Sequence, residues 1–350
     1  MNKTCLEKMN LVYNKLQDDE SRKIWEARLS YAFDRDHYKL EDELHRLYND
    51  WKCEELEEYI ATLKPKGIII FGCGNDGKQL KKNLSYWGYN VDYFCDNDIK
   101  KIGTTWEGVK ILSVQEVLNK FTNYLVIIGS IKFRTEMYEN LKQLGFPQKN
   151  ILLPKNLILL GRRANQYFDV FKPTESEVFL NCGGYDGQII FNFIDWANGK
   201  YKYIYSFEPI EKMNEVIKER CRKESVKNID LLQKAVWNNN EILKFQEMSA
   251  GSRVDDGGEV SVEGVTIDSI IGNQDATFIK MDVEGSELNA LQGAQNVIKN
   301  KKPKLAICIY HKPEDIYEIG AYILSLVPEY KFKIRHYVSN NYETVLYAYI

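Results

Sequence analysis

Two glycine-rich turns and a run of acidic residues hold the side chains best suited to chemistry in this sequence. The first turn, Gly72-Cys-Gly74-Asn-Asp-Gly77, follows the apolar run Ile68–Phe71 and opens a helical pattern. Glycines at these positions allow a tight turn and let backbone N–H groups approach a phosphate at a helix N-terminus. Asp96 follows Gly77 by 19 residues, at the end of the next strand-like run, where a carboxylate can meet a ribose. The second turn, Asn181-Cys-Gly183-Gly184-Tyr-Asp186-Gly187, also joins a strand pattern to a helix pattern. Glu208 stands 21 residues after Gly187, in Phe207-Glu208-Pro209. This spacing fits a nucleoside cofactor and leaves NAD and S-adenosylmethionine both open. The turn is not G-x-G-x-x-G, which weakens a pyrophosphate reading.

Length separates the two turns. A dinucleotide fold needs about six strands, whereas residues 65–155 show about four strand patterns and contain no histidine. Hydride chemistry at the first turn is therefore disfavoured. A mononucleotide, a sugar nucleotide or a purely structural turn remain. Lys132 and Arg134 follow the strand ending at Ile128 and are placed either to meet a phosphate or to be solvated.

The elements that position these turns alternate. Residues 1–64 read as helical, with apolar residues at three- and four-residue steps from Trp25 through Leu29, Ala32, Phe33, Leu40, Leu44 and Leu47 to Trp51. Such a stripe packs on the next domain or, less often, forms a homodimer interface. Pro65 ends it. Strand and helix patterns then follow one another to residue 157, and again from Val178 onward, with hairpin-like strands near Leu243–Gln246 and Val260–Ile267. The expected fold is α/β: two tandem open Rossmann-like sheets behind a helical segment. The domains are 1–64, 65–157 and 158–350. A single strand is expected over Ile229–Val236 and a single helix over Ser286–Ile298.

Composition sets limits. The chain has 350 residues, 44% of them hydrophobic, enough for more than one core. Lys and Arg total 47 against 50 Asp and Glu, a net charge of −3 that argues against a nucleic-acid partner. No apolar run reaches the ~18 residues needed to cross a bilayer, and the first twenty residues lack a signal-peptide core. Seven cysteines without C-x-x-C spacing fit a reducing cytoplasm better than a disulfide framework.

Downstream motifs choose between the open readings. Thr266-Ile-Asp268-Ser269, Lys280-Met-Asp282-Val-Glu284-Gly285-Ser-Glu287, Leu291-Gln-Gly293-Ala and Tyr310-His311-Lys-Pro-Glu-Asp315 resemble the FkbM family of S-adenosylmethionine-dependent methyltransferases. So do Val178–Gly184 and Phe207-Glu-Pro209, and the likeness runs from about Tyr167 to the C-terminus. The resemblance implies a class I methyltransferase fold, with S-adenosylmethionine held by Asn181, Gly183, Gly184, Asp186, Gly187 and Glu208. It also implies O-methylation of a hydroxyl on a saccharide, glycan precursor or related natural product, with a nucleotide-linked acceptor among the candidates. The segment at Gly72, Gly74, Gly77 and Asp96 is similar to nucleotide-sugar-binding modules. The alternative is a catalytically silent methyltransferase-like protein that binds a nucleotide sugar through that segment.

Asn181 stands where this class usually has an acid. Asp186 or Asp282 would then supply the missing charge. Methyl transfer to an alcohol needs a base or a metal that lowers the hydroxyl pKa. His311, following a strand, is the leading base as a neutral imidazole. Asp282 contacts the cofactor or the acceptor hydroxyl, or caps the next helix. Lys280 and Glu284 are expected to pair across the turn, and Glu287 and Asp268 to act as caps. Asp282, Glu284 and His311 form a possible oxygen and nitrogen donor set for Mg²⁺, but no metal is the expectation. Trp237 and Tyr310, near strand ends, are placed to stack on a sugar face.

Overall fold

The computed structural model describes residues 4–47, 54–153, 165–246, 253–254, 257–338 and 341–350. Trp51 and the expected boundary at residues 157 and 158 lie outside them. The chain divides into two compact units. The larger comprises Met1–Leu40, Asn165–His336 and Tyr342–Ile350, and the smaller comprises Glu41–Ala164 and Tyr337–Asn341. The helical lead-in is thus shared: α1 (Cys5–Tyr13) and α2 (Asp19–Asp34) lie in the larger unit, and α4 (Glu54–Leu63) lies in the smaller, while α3 (His37–Leu47) spans the division.

In the smaller unit the chain runs β1 (Ile68–Phe71), α5 (Asn75–Tyr86), β2 (Tyr93–Cys95), β3 (Thr105–Trp106), β4 (Val109–Leu112), α6 (Val114–Lys120), β5 (Leu125–Ile128), α7 (Arg134–Gln143) and β6 (Ile151–Leu152). The sheet order is β3-β4-β2-β1-β5-β6, parallel except for the short β3 edge. The continuous apolar run of β1 has a simple cause. Ile68 and Ile70 point into one core with Leu80 and Leu84, while Ile69 and Phe71 point into another with Val117 and Leu141. Both faces are covered, so no polar alternation is needed. Each such side chain contributes about 1.5–3 kcal/mol of burial. The β3–β4 pair was not expected; strands of two and four residues are too short to show a period.

The larger unit continues with β7 (Glu177–Cys182), α8 (Gln188–Trp196), β8 (Tyr201–Phe207), α9 (Glu211–Lys223), β9 (Ile229–Leu232), β10 (Ala235–Val236), β11 (Glu241–Gln246), β12 (Arg253–Val254) and β13 (Val260–Val265). It closes with α10 (Ile267–Ile271), β14 (Phe278–Met281), α11 (Glu287–Gln292), α12 (Gln295–Lys301), β15 (Lys304–Cys308), α13 (Asp315–Leu326), β16 (Lys331–His336) and β17 (Thr344–Tyr349). The main sheet has the order β16-β17-β15-β14-β7-β8-β9, with β17 antiparallel to both of its neighbours. Chain order reverses between β7 and β14, the switch point where open α/β sheets place ligands. An additional four-stranded sheet, β10-β13-β11-β12, holds the expected hairpin strands.

Two expected elements are divided. The run Ile229–Val236 splits because β9 extends the main sheet while β10 pairs with β13. The helix expected over Ser286–Ile298 breaks between α11 and α12, where the Gly293 carbonyl accepts the Asp268 N–H at 2.9 Å. A Cβ on Gly293 would collide with the Trp237 carbonyl, so the break follows from close backbone approach.

Within the larger unit, α1 packs on α13 and α2 packs on β16. Leu16 bridges to Phe332, and backbone bonds from Gln17 and to Lys15 cover the outer edge of β16. The buried face of α2 is Ser21, Ile24, Trp25 and Arg28, whereas Phe33 from the expected stripe is exposed. Asp18 fixes this docking. It accepts the Ser21 N–H at 2.9 Å as N-cap of α2 and pairs with Arg335 of β16 at 2.7 Å. Burial alone would raise its pKa, but the Arg335 and Ser21 bonds win and hold the carboxyl well below the usual carboxylate range. Asp18→Ala should cost about 1.5–2 kcal/mol at neutral pH, from a lost cap and a partly exposed ion pair. A depressed folded-state pKa stabilises above the unfolded value and fades as pH falls below about 4. Urea unfolding of both proteins at pH 7 and pH 3 should therefore show the difference shrinking in acid.

Candidate functional site

The C-terminal ends of β7, β8, β14 and β15 gather most of the expected residues of the larger unit. At the end of β7, Asn181 is fully buried; its Nδ2 donates to Ser206 Oγ at 3.1 Å, while Oδ1 has no hydrogen-bond partner among the described residues. The Gly183 and Gly184 N–H groups both donate to the Phe207 carbonyl at 3.1 Å, which folds the turn against β8. Gly183 has φ +87°, and a Cβ there would collide with the Asp282 carbonyl oxygen. The turns after β7 and β14 therefore touch through bare backbone.

Glu208 directly follows β8 and is 6% exposed. Its two oxygens accept the Tyr185 N–H at 2.7 Å and the Ile210 N–H at 2.9 Å. Burial raises its pKa, against these bonds. Each carboxylate oxygen keeps a further lone pair, so a pair of ribose hydroxyls can still be accepted. Asp186 is engaged by Arg220 of α9, which binds its carbonyl at 2.6 Å and its carboxylate at 3.2 Å. It is tied to α9 rather than supplying the charge that Asn181 lacks.

Asp282 is the better-placed acid. It accepts the Tyr167 hydroxyl at 2.9 Å and the Tyr310 hydroxyl at 3.2 Å. Burial works against its charge, but Lys280, His311 and the Tyr167 hydroxyl hold its pKa below the usual range. Lys280 does not pair with Glu284 as expected. Its ammonium, buried on β14, donates to the carbonyls of Gly183 at 2.8 Å and Cys182 at 3.3 Å and lies over the Tyr167 ring. Glu284 instead reaches His311.

His311 sits among three carboxylates. Nδ1 is 2.9 Å from Glu287 Oε1, and Nε2 is 3.3 Å from Glu284 and 3.7 Å from Asp282. These are ion-pair distances that do not meet hydrogen-bond geometry. Burial lowers its pKa, yet Glu284, Glu287 and Asp282 overcome that and raise it to about 11. The raised pKa favours the charged imidazolium over the neutral imidazole expected. Asp315, buried beside it, is pushed up to about 7 by burial and by the charge of Glu287. The caps are as expected: Glu287 accepts the Val283 N–H, and Asp268 accepts the N–H groups of Asn296 and Val297.

Tyr167 was seen in the sequence only as the point where the resemblance begins. Its backbone has φ +74°, rare for an aromatic residue, and its hydroxyl reaches Cys308 as well as Asp282. Nothing in its local spacing marks it, because its partners lie more than a hundred residues away. Tyr310 is half-buried, with its ring 6.0 Å from the exposed ring of Tyr342. Trp237 donates to Glu241 on the separate sheet.

In the smaller unit the first glycine turn forms as expected, with Gly72 and Gly77 in backbone contact and open space at Gly74. Asp96, however, is engaged within the turn. It accepts the Cys73 N–H at 2.8 Å, the Asp98 N–H at 2.9 Å and Lys101 at 3.0 Å. Lys132 lies over the Phe133 ring.

A glycine turn at a switch point, bare backbone between it and an acidic strand end, and a strand reversed at β17 define a Rossmann-like α/β unit of the class I methyltransferase type. Residues 181–334 match the family model described as Methyltransferase FkbM domain. This segment of the chain is therefore similar to FkbM methyltransferase domains. Residues 64–152 match the model described as C2185-like, N-terminal. Among solved structures, methyltransferase FkbM from Methylobacillus flagellatus is similar in fold, with 20% identity, a TM-score of 0.52, and 95% of this chain and 99% of that chain covered. An rRNA methylase from Streptococcus thermophilus aligns at 13% identity and TM-score 0.35 over 51% of this chain and 87% of its own. Aeropyrum pernix fibrillarin, solved with bound S-adenosyl-L-methionine, aligns at 10% identity and TM-score 0.34 over 50% of this chain and 67% of its own. No curated protein matches. Among the described residues no helix is long and apolar enough to cross a membrane.

Gly183→Ala tests the backbone contact. Positive φ and the collision with Asp282 should together cost about 2–4 kcal/mol, read as a lower denaturation midpoint.

Proposed function

We propose that this chain is an S-adenosylmethionine-dependent methyltransferase that methylates a hydroxyl on a saccharide, glycan precursor or related natural product. The observation that carries the reading is the direct contact between the Gly183 turn and the Asp282 turn. A nucleoside cofactor on the first presents its methyl group at the second. Asn181, Gly183, Gly184, Gly187 and Glu208 hold the cofactor, with Asn181 Oδ1 free to accept from its ammonium. Asp186 acts indirectly, by fixing the turn to Arg220.

In the reaction the acceptor oxygen attacks the sulfonium methyl carbon, and the departing sulfur keeps the electron pair as a neutral thioether. The oxygen becomes strongly acidic as its bond to carbon forms, so a weak base suffices. Asp282 is that base. His311 holds the charge and place of Asp282 and is a positioning residue. Tyr310 and Tyr342 offer aromatic faces near Asp282, which supports a ring-shaped acceptor. The smaller unit, with open space at Gly74, is read as recruiting a nucleotide-linked acceptor. Buried thiols at Cys73, Cys95, Cys182, Cys221 and Cys308 support a reducing, cytoplasmic setting.

Calorimetry with S-adenosylhomocysteine, UDP-sugars and NAD tests the reading. The thioether should bind, and Glu208→Ala should weaken it about tenfold or more. Asp282→Ala should lower kcat about 10²-fold or more while the thioether still binds. NAD binding without thioether binding would overturn the reading. UDP-sugar binding without thioether binding would favour a silent nucleotide-sugar binder.

A further inference from the structure

Around His311 the larger unit gathers four carboxylates. Asp282, Glu284 and Glu287 face His311, and Asp315 adjoins Glu287, whereas Lys280 is turned to backbone carbonyls. Three of these groups converge, with one ligand atom each from Asp282, Glu287 and His311 within 4.8 Å of one another. None of the three residues is exposed. Glu287 is wholly buried, and its Oε2 has no hydrogen-bond partner. The oxygen beside it, Oε1, stands against His311 Nδ1, so the bare atom lies at the same cluster. A buried carboxylate oxygen left without a partner is costly, and structures rarely keep one without a reason.

We propose that Asp282, Glu287 and His311 form a binding site for a divalent cation of the Mn²⁺ type. Two carboxylates and one imidazole make a hard-to-borderline donor set, which suits Mn²⁺ better than a thiolate-seeking ion. At metal–ligand distances of about 2.1–2.2 Å, ligand atoms stand about 3.0 Å apart when adjacent and about 4.3 Å when opposite. The ligand atoms here lie within 4.8 Å of one another, a spacing that side-chain rotation can close to those distances. Glu284, 3.3 Å from His311 and partly exposed, stands at the solvent side of the cluster. An ion here would lie beside the acidic strand end assigned to the acceptor, where it lowers a hydroxyl pKa and fixes its oxygen. That use rests on the methyltransferase reading; binding of the ion does not.

The test is a titration of the full chain, stripped of metal by a chelator, with MnCl₂, free Mn²⁺ being read by electron paramagnetic resonance. One equivalent should bind, and Glu287→Gln and Asp282→Asn should each weaken it about tenfold or more. Thermal melting identifies a variant that fails to fold; should Glu287→Gln fail, Asp282→Asn and His311→Asn decide. If the proton on His311 already supplies the needed charge, the wild type takes up no Mn²⁺ and the proposal is wrong. Unchanged binding in every folded variant would equally overturn it. Thioether binding measured on the same samples reports on the methyltransferase reading separately, so either can fail alone.

Discussion

The site depends on the buried ammonium of Lys280. From β14 it reaches across the switch point and donates to the carbonyls of Cys182 and Gly183, at the end of β7. A cation taken from water must be repaid by close partners, and here those partners are two carbonyls, the Tyr167 ring and the charge of Asp282. One side chain thus sets the shape of the glycine turn and the ionisation of the nearest acid. Gly183 completes the arrangement, because any side chain there would force the two turns apart.

Charge is arranged in two shells around that contact. Near the turn, Lys280 and the hydroxyls of Tyr167 and Tyr310 keep Asp282 ionised and oriented. Farther along the strand edge, His311 lies among carboxylates from the turn after β14 and the start of α11. The elements that supply them follow consecutive parallel strands, so the sheet itself aligns the groups. The lead-in helix α2 also takes part: Arg28 is buried on it, and burial lowers its pKa. Asp18 and Arg335 hold that helix in place.

Local order in the sequence showed most of the fold. Apolar runs such as Ile68–Phe71 showed buried parallel strands, and both glycine turns formed where strand met helix. The failures were tertiary. Residues 229–236 read as one strand because nothing local says that its halves join different sheets. The helix after Ser286 broke at Gly293 because Trp237, more than fifty residues away, leaves no room. At the site, position was legible and pairing was not. Asp282, His311 and Glu208 lie at strand ends as the motifs implied, yet Lys280 chose carbonyls over Glu284, and Asp96 and Asp186 are engaged by their own surroundings. Tyr167 has no periodic signal at all, since only the fold brings it to Asp282.

The most direct test of the central claim is a crystal structure with S-adenosylhomocysteine bound. The account predicts the nucleoside along the Gly183–Gly187 turn, its ribose at Glu208 and its sulfur facing Asp282. A thioether found elsewhere, or lying on that turn with its sulfur directed away from Asp282, would contradict it.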